Sequence, residues 1–199
     1  IGTGRRAGSC ARRDKPWREA LSLGDRVLER SNPSHLTPGL SLPLVMLPAT
    51  DGSQISVATL SGRSLVAVYP WTGRPGVLNP PGWDDIPGAH GSTPELEGFR
   101  DVFETISQTG TRLFGLSNQT TAYQREMALS LELLFPILSD AEGAFARALH
   151  LPSFKAGGDI CLKRLTFAVL DGRTEHVFYP VHDPETHAAE VVDWLTAKG

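Results

Sequence analysis

The sequence predicts an α/β fold in which a central mixed β-sheet is flanked by helices. Short apolar runs typical of buried strands alternate with amphipathic stretches of helical period along most of the chain. Asp-Gly dipeptides, which favour tight hairpin turns, occur at the start and near the end of this alternation. With 199 residues, of which 40% are hydrophobic, the chain can bury one substantial core. We expect an arm and an amphipathic helix over residues 1–40, followed by one domain over residues 41–199.

The composition argues against several classes of protein. The formal net charge of −3 provides no basic field that would attract nucleic acid. No run approaches the roughly 20 apolar residues of a membrane helix, and the N-terminal residues lack the apolar stretch of a secretory signal. The two cysteines, Cys10 and Cys161, have neither CxxC nor zinc-type spacing. We therefore expect a soluble, cytoplasmic protein that binds no nucleic acid, membrane, metal ion or organic cofactor.

The N-terminal 40 residues are predicted to lie outside the main core. The first 14 residues are rich in glycine and arginine without apolar periodicity, which predicts a mobile arm. Gly2 and Gly4 match a loose dinucleotide fingerprint, but no strand precedes them to place a pyrophosphate on a helix. The arginines fit an acidic partner or a transit sequence, although a solvated tail is the simpler account. Helical spacing from Lys15 to Ser31 predicts an amphipathic helix that docks on the domain or on a second subunit.

The first half of the domain is predicted to place a long loop beside a central strand. A hairpin is expected over residues 44–60, around Asp51-Gly52. The apolar run over residues 64–69, which ends at Pro70, is typical of a strand buried on both faces. Residues 71–91 contain four prolines and five glycines, too many for a regular element. Long loops inside compact domains are usually functional.

A helix is predicted to follow that loop, and the remaining elements alternate. Thr93-Pro94 provides a hydroxyl at the cap and proline at the first helical position, with Glu95 in the first turn. The later predictions are a strand over 111–117, a helix over 121–131, a strand over 135–138, a helix over 141–149, a hairpin over 165–179 and a final helix after residue 184. This order is thioredoxin-like. It places the loop over residues 71–91 at the carboxyl end of a central strand, where open α/β sheets have their sites.

One segment carries a specific family signature. The run from Gly91 to Asp101, GSTPELEGFRD, resembles the peroxidatic loop and helix of peroxiredoxins of the bacterioferritin-comigratory branch, which typically read G-C-T-x-E-x-C-G-F-R-D. Ser92 occupies the place of the peroxidatic cysteine, and Glu97 that of a nearby resolving cysteine. The resemblance covers residues 42–199, with further anchors at Leu138-Ser-Asp and Arg164-Leu-Thr-Phe. Residues 69–89 are also similar to a longer loop, Y-P-x-T-G-R-P and G-W-D-x-I-P-G-A, found in a bacterial subset of redoxins.

The resemblance implies a function, partners and roles for four residues. It implies reduction of hydrogen peroxide or alkyl hydroperoxides, recycling by an external thiol such as thioredoxin or glutaredoxin, a one-cysteine mechanism and pairing into a homodimer. Arg164 would lie beside position 92 and favour a thiolate there, and Glu95 would orient that arginine. The family's threonine motif is not met, since Ala89 lies three residues before Ser92. Thr72 is the substitute we predict for that hydroxyl.

The serine decides whether this site can react. A helix N-terminus lowers the pKa of a thiol, but an alcohol is far less acidic and its oxygen cannot form a sulfenic acid. We therefore predict that the chain does not reduce peroxide at position 92. Three explanations remain open: an introduced change, a natural pseudoenzyme with a binding or assembly role, or transfer of the chemistry to Cys161 or Cys10.

Other polar residues have simpler interpretations than catalysis. His90 lies close to Ser92 and suggests a serine hydrolase, but the G-x-S-x-G motif is missing and the third member of a triad is unidentified. His176, His182 and His187 cluster in the sequence, yet structural roles are favoured over metal binding. Cys161 precedes an apolar strand, which is typical of a packed, inert thiol.

Overall fold

The computed structural model describes residues 33–198. Its nine strands are β1 (Leu47–Pro48), β2 (Gln54–Ile55), β3 (Arg63–Val68), β4 (Arg112–Ser117), β5 (Ile137–Ser139), β6 (Ser153–Ala156), β7 (Asp159–Leu162), β8 (Leu165–Leu170) and β9 (Arg173–Phe178). Its five α-helices are α1 (Ser92–Asp101), α2 (Phe103–Gln108), α3 (Thr121–Ser130), α4 (Ala144–Ala148) and α5 (His187–Lys198). The predicted helix over residues 15–31 and Cys10 lie outside the described residues. Within residues 33–198, no helix has the length and apolar character needed to cross a bilayer.

A five-stranded mixed sheet forms the centre of the domain, as the sequence predicts. Its strand order is β5-β4-β3-β8-β9. β3 pairs with β4 in parallel and with β8 antiparallel, and β4 pairs with β5 in parallel. The predicted central strand is therefore the middle strand of the sheet, and the long loop over residues 71–91 leaves from its carboxyl end. Two short antiparallel pairs, β1 with β2 and β6 with β7, lie outside this sheet.

Alternating side chains of β3 divide the core into two layers. Leu65 and Ala67 point into a cluster with α1, α2 and α5, whereas Val66 and Val68 point into a cluster with α4 and the segment before β3. All four side chains are fully buried, because a central strand covered on both faces has no solvent side. Leu36 and Leu42 also pack in the second cluster, so the chain joins the core before β1 begins.

Three local features differ from the sequence predictions. The helix that follows the long loop begins at Ser92 with Gly91 as its N-cap, and no side chain caps it, so the predicted hydroxyl cap at Thr93 is wrong. Pro94 fits inside this first turn because the first amides of a helix have no hydrogen-bond partner within it. The first intrahelical hydrogen bond runs from Glu95 N to Gly91 O. The helix is also interrupted at Val102, where α1 ends and α2 begins. The hairpin of β6 and β7 was not predicted.

Candidate functional site

A left-handed glycine places the start of α1 beside the sheet. Gly91 has φ of +97°, and a Cβ atom there would lie 2.6 Å from Cγ of Pro184. Both the backbone angle and the close approach therefore require glycine. A helix N-terminus of this kind stabilises negative charge in front of it.

Ser92 lies at that helix start and contacts a buried arginine. Its side chain is 2% exposed, and its Oγ accepts a hydrogen bond from Nη2 of Arg164 at 3.3 Å. The same Nη2 donates to the carbonyl oxygen of His90 at 2.9 Å. Arg164 precedes β8 and is itself buried, with 5% of its surface exposed. The predicted neighbours Ser92 and Arg164 are therefore brought together although they are 72 positions apart in the sequence.

Glu95 holds the arginine from the first turn of the helix. Its Oε2 accepts a hydrogen bond from Nη1 of Arg164, and neither side chain has appreciable contact with solvent. Burial raises the pKa of Glu95 to about 7, and the opposite charge of Arg164 acts to lower it. The guanidinium thus uses one nitrogen for the carboxylate and the other for position 92. This division orients a cation at the start of α1.

A pocket opens over Ser92. It has a volume of about 270 Å³ and is bounded by Ser92 to Pro94 at the helix start and by Trp71, Gly73 and Trp83 of the long loop. The ring of Trp83 is 3% exposed and packs against Phe154 of β6, with 5.8 Å between ring centroids. The β6–β7 hairpin, which was not predicted, therefore supports the side of the pocket that the long loop forms. We call this side, which includes Trp71, Gly73 and Trp83, the loop wall. A small polar molecule in this pocket would lie against Ser92.

Known proteins resemble this chain in both sequence and fold. No family model matches the sequence. The Coxiella burnetii protein named peroxiredoxin bcp is 26% identical over 161 residues, which cover 79% of this chain and 97% of that protein. The crystal structure of peroxidoxin BcpB from Mycobacterium tuberculosis has a TM-score of 0.65 and 23% identity, covering 82% of this chain and 98% of that one. This chain is similar in sequence and in fold to peroxiredoxins of the bacterioferritin-comigratory type.

Other solved peroxiredoxins share the fold at lower identity. A Cys-to-Ser mutant of PrxQ from Xylella fastidiosa has a TM-score of 0.68 and 19% identity, covering 83% of this chain and 98% of that one. The bacterioferritin comigratory protein of Xanthomonas campestris, described for its alkyl peroxide reduction activity, has a TM-score of 0.65 and 21% identity, covering 81% of this chain and 99% of that one. These likenesses agree with the thioredoxin-like α/β fold predicted from the sequence.

Thr72, the fourth residue that we predicted in this site, has its polar groups engaged elsewhere. It is buried, and both its amide and its hydroxyl donate to Oε1 of Gln119 at 3.1 Å. Its neighbours Trp71 and Gly73 line the pocket. A hydroxyl that donates to Gln119 cannot donate to a peroxide at the same time. A direct role for Thr72 stays a prediction, and Gln119 is a residue that sequence reasoning missed.

The alternative readings of this region find less support in the geometry. The ring of His90 is exposed and bonds to Asp84 at 2.9 Å, whereas the hydroxyl of Ser92 bonds to Arg164, so the serine and histidine are not arranged as nucleophile and base. Cys161 lies on β7 with 1% exposure, packed in the cluster of Trp83 and Phe154. Its burial favours the packing role. Residues 33–198 contain no group of three or more histidine, cysteine or carboxylate side chains arranged to share a metal ion.

Proposed function

We propose that this chain is a peroxiredoxin with a site for reducing hydrogen peroxide or alkyl hydroperoxides, in which Ser92 stands where the family has its peroxidatic cysteine. The observation that carries the proposal is the contact between Nη2 of Arg164 and Oγ of Ser92 at the N-terminus of α1. A buried guanidinium and a helix N-terminus both favour negative charge at position 92. They form the environment that a reactive thiolate needs.

The reaction of such a site with cysteine at position 92 follows from this geometry. The thiolate attacks the nearer peroxide oxygen, the S–O bond forms as the O–O bond breaks, and the electron pair leaves on the distal oxygen. The departing hydroxide or alkoxide takes up a proton, and the sulfur becomes a sulfenic acid. Arg164 stabilises charge on the oxygens during transfer. Two equivalents of an external thiol then return the sulfur to the thiol and release water, and are themselves oxidised to a disulfide.

Serine at position 92 prevents the first step of this reaction. The hydroxyl of Ser92 keeps its proton at neutral pH despite the neighbouring guanidinium, and an oxygen nucleophile has no counterpart of the reversible sulfenic acid. The chain with Ser92 is therefore an inactive form in which the charge environment of the site is retained. A thiol reductant such as thioredoxin or glutaredoxin, and pairing of two copies, belong to the same proposal.

The Ser92→Cys variant tests the proposal directly. Because the environment of position 92 is already formed, we expect Ser92→Cys to consume cumene hydroperoxide with dithiothreitol or thioredoxin, at least about 100-fold faster than Ser92→Ala. A sulfenate at position 92 should be trapped by dimedone and located by mass spectrometry. Absence of both turnover and the adduct in a folded Ser92→Cys protein would refute the enzymatic proposal.

A matched pair of arginine substitutions separates the site charge from general effects. In the Ser92→Cys background, Arg164→Lys should lower the rate of the peroxide reaction by about 100-fold, since one ammonium cannot serve Glu95 and position 92 together. Arg63 provides the control, because its guanidinium also pairs with a carboxylate, that of Glu175, at the opposite end of β3. Arg63→Lys should leave the rate within about twofold. Equal losses in the two variants would show that Arg164 acts through stability alone.

A second candidate function is a natural pseudo-peroxiredoxin that binds or assembles without catalysis. The observation that favours it is Ser92 itself, whose hydroxyl is buried and already bonded to Arg164. Under this hypothesis a thiol restored at position 92 would not turn over peroxide with a protein thiol reductant. Turnover by Ser92→Cys with a protein thiol reductant would argue against it. Turnover by the unmodified chain that disappears in Cys161→Ala would instead move the chemistry to Cys161.

A further inference from the structure

One buried side-chain amide, in the segment between β4 and α3, holds the loop wall of the pocket. Gln119 accepts hydrogen bonds at Oε1 from the amide and the hydroxyl of Thr72, both at 3.1 Å, and donates from Nε2 to the carbonyl oxygen of Thr72 at 3.0 Å. Thr72 is 2% exposed and Gln119 is 4% exposed. The side chain of Gln119, just beyond β4, therefore bonds to all the polar groups of Thr72.

This amide replaces backbone pairing where the sheet ends. The backbone bonds between β3 and β4 continue to Tyr69 N and Leu116 O, at 3.0 Å, and the next residue, Pro70, has no amide hydrogen. Beyond that point the Gln119 side chain presents one acceptor and one donor to Thr72, as a neighbouring strand would. The loop thus remains fixed at Thr72, three residues past the last backbone bond at Tyr69.

The residues on either side of Thr72 form part of the pocket. Trp71 and Gly73 both line it. Trp71 also packs on Tyr123, with 5.6 Å between ring centroids, and the hydroxyl of Tyr123 donates to the Thr72 carbonyl at 2.7 Å. A shift of Thr72 would therefore move the loop wall of the pocket. Ser92, Glu95 and Arg164 are held by separate contacts from α1 and the start of β8.

We propose that Gln119 is a positioning residue that sets the loop wall of the hydroperoxide pocket by fixing Thr72. This inference rests on the proposed function of the same site. It predicts that loss of the amide weakens binding of an organic hydroperoxide while the reactivity of a thiol at position 92 is preserved. Gln119 itself touches neither the peroxide nor the reacting sulfur.

The first test compares two buried glutamines in the Ser92→Cys background. Gln119→Met removes the bonds to Thr72 and keeps a similar volume. Gln124→Met is the matched control, because Gln124 is also fully buried but donates to Ser117 and Leu138 of the sheet. For cumene hydroperoxide we expect Gln119→Met to raise KM about tenfold with kcat within about twofold, which corresponds to loss of one or two buried hydrogen bonds. Alkylation of Cys at position 92 by iodoacetamide should be unchanged.

The second test needs no catalysis and uses the chain with Ser92. Hydrogen exchange followed by mass spectrometry should show the peptide over residues 71–73 exchanging about tenfold faster in Gln119→Met than in Gln124→Met or the parent. Unchanged exchange overturns the inference, and so does faster exchange without a rise in KM where Ser92→Cys is active. If Ser92→Cys is inactive, the proposed function fails, and exchange alone still decides whether Gln119 fixes the loop.

Discussion

The imidazole of His187 lies at the start of α5 with its side chain fully buried. It is edge-on to Phe99 and Phe178, with centroid separations of 5.8 and 5.6 Å. Nδ1 lies 3.2 Å from the carboxylate of Glu190, and Nε2 lies 2.9 Å from the hydroxyl of Thr166. A neutral ring that donates to the carboxylate and accepts from the hydroxyl satisfies both contacts. Burial lowers the pKa of His187 from its usual 6.5.

Acid should therefore destabilise the protein through this residue. Because the pKa of His187 is lower in the folded state, the unfolded chain binds the extra proton first, and the stabilisation is present above about pH 6.5 and is lost as pH falls below it. Glu95, whose pKa is raised to about 7, contributes a slope of opposite sign over the same pH range. Through His187 the free energy of unfolding should fall between about pH 7.5 and about pH 5.5, measured by urea titration as the difference between the parent and His187→Gln. His187→Gln should flatten that slope, whereas His182→Gln, at an exposed position, should not. Equal slopes in all three proteins would contradict this account.

The sequence could reveal part of the site residue by residue. Ser92, Glu95 and Arg164 were predicted as neighbours from the resemblance of two short segments, and their side chains do meet. The same reasoning could not find Gln119, because its role depends on the path that the loop takes after Pro70. The indirect signal was Pro70 itself, which ends the backbone pairing and leaves the next residues in need of other partners.

Among the elements, α1 depends most on a single backbone position. Gly91→Ala should destabilise the protein by more than about 2 kcal/mol, since the left-handed angle costs about 1 kcal/mol and the added methyl group also meets Pro184. Gly88→Ala provides the control, because Gly88 has φ of +79° with no atom within 4 Å of the added Cβ. That variant should lose only about 1 kcal/mol in urea unfolding. Similar losses of stability in Gly91→Ala and Gly88→Ala would show that Pro184 moves aside to accommodate the added methyl group.

The elements that sequence reasoning missed are those whose formation depends on tertiary contact. The runs of β6 and β7 are only four residues each, too short to show a clear period. The Gly157-Gly158 pair between them is typical of a hairpin turn and is the one local indication of this element. A Cβ atom on Gly157 would lie 2.8 Å from Cδ of Pro81, so the hairpin turn packs directly on the long loop. By contrast β3, β4 and β8 were predicted nearly to their bounds, because continuous apolar runs specify buried strands.

On the scale of the whole molecule, one sheet is shared by two hydrophobic clusters. The sequence predicted the burial of β3 on both faces, from its nearly continuous apolar run, but not which helices cover each face. Alternation along β3 assigns Leu65 to the cluster with α1, α2 and α5 and Val66 to the cluster with α4. If either cluster came away from the sheet, the backbone hydrogen bonds of the sheet would be exposed to water. The other cluster packs on those same strands and would be weakened as well. The two layers should therefore unfold together.

Truncations on the two faces of β3 test this coupling. Leu65→Ala should lower the free energy of unfolding by about 3 kcal/mol, and Val66→Ala by about 2 kcal/mol, because both side chains are fully buried. In each variant, far-ultraviolet circular dichroism and tryptophan fluorescence should give one coincident transition in urea, with an unchanged m-value. Leu44→Ala, at a side chain that is 78% exposed, should change stability by less than about 0.5 kcal/mol. Two separated transitions in Leu65→Ala would mean that the helical layer unfolds independently of the layer across the sheet.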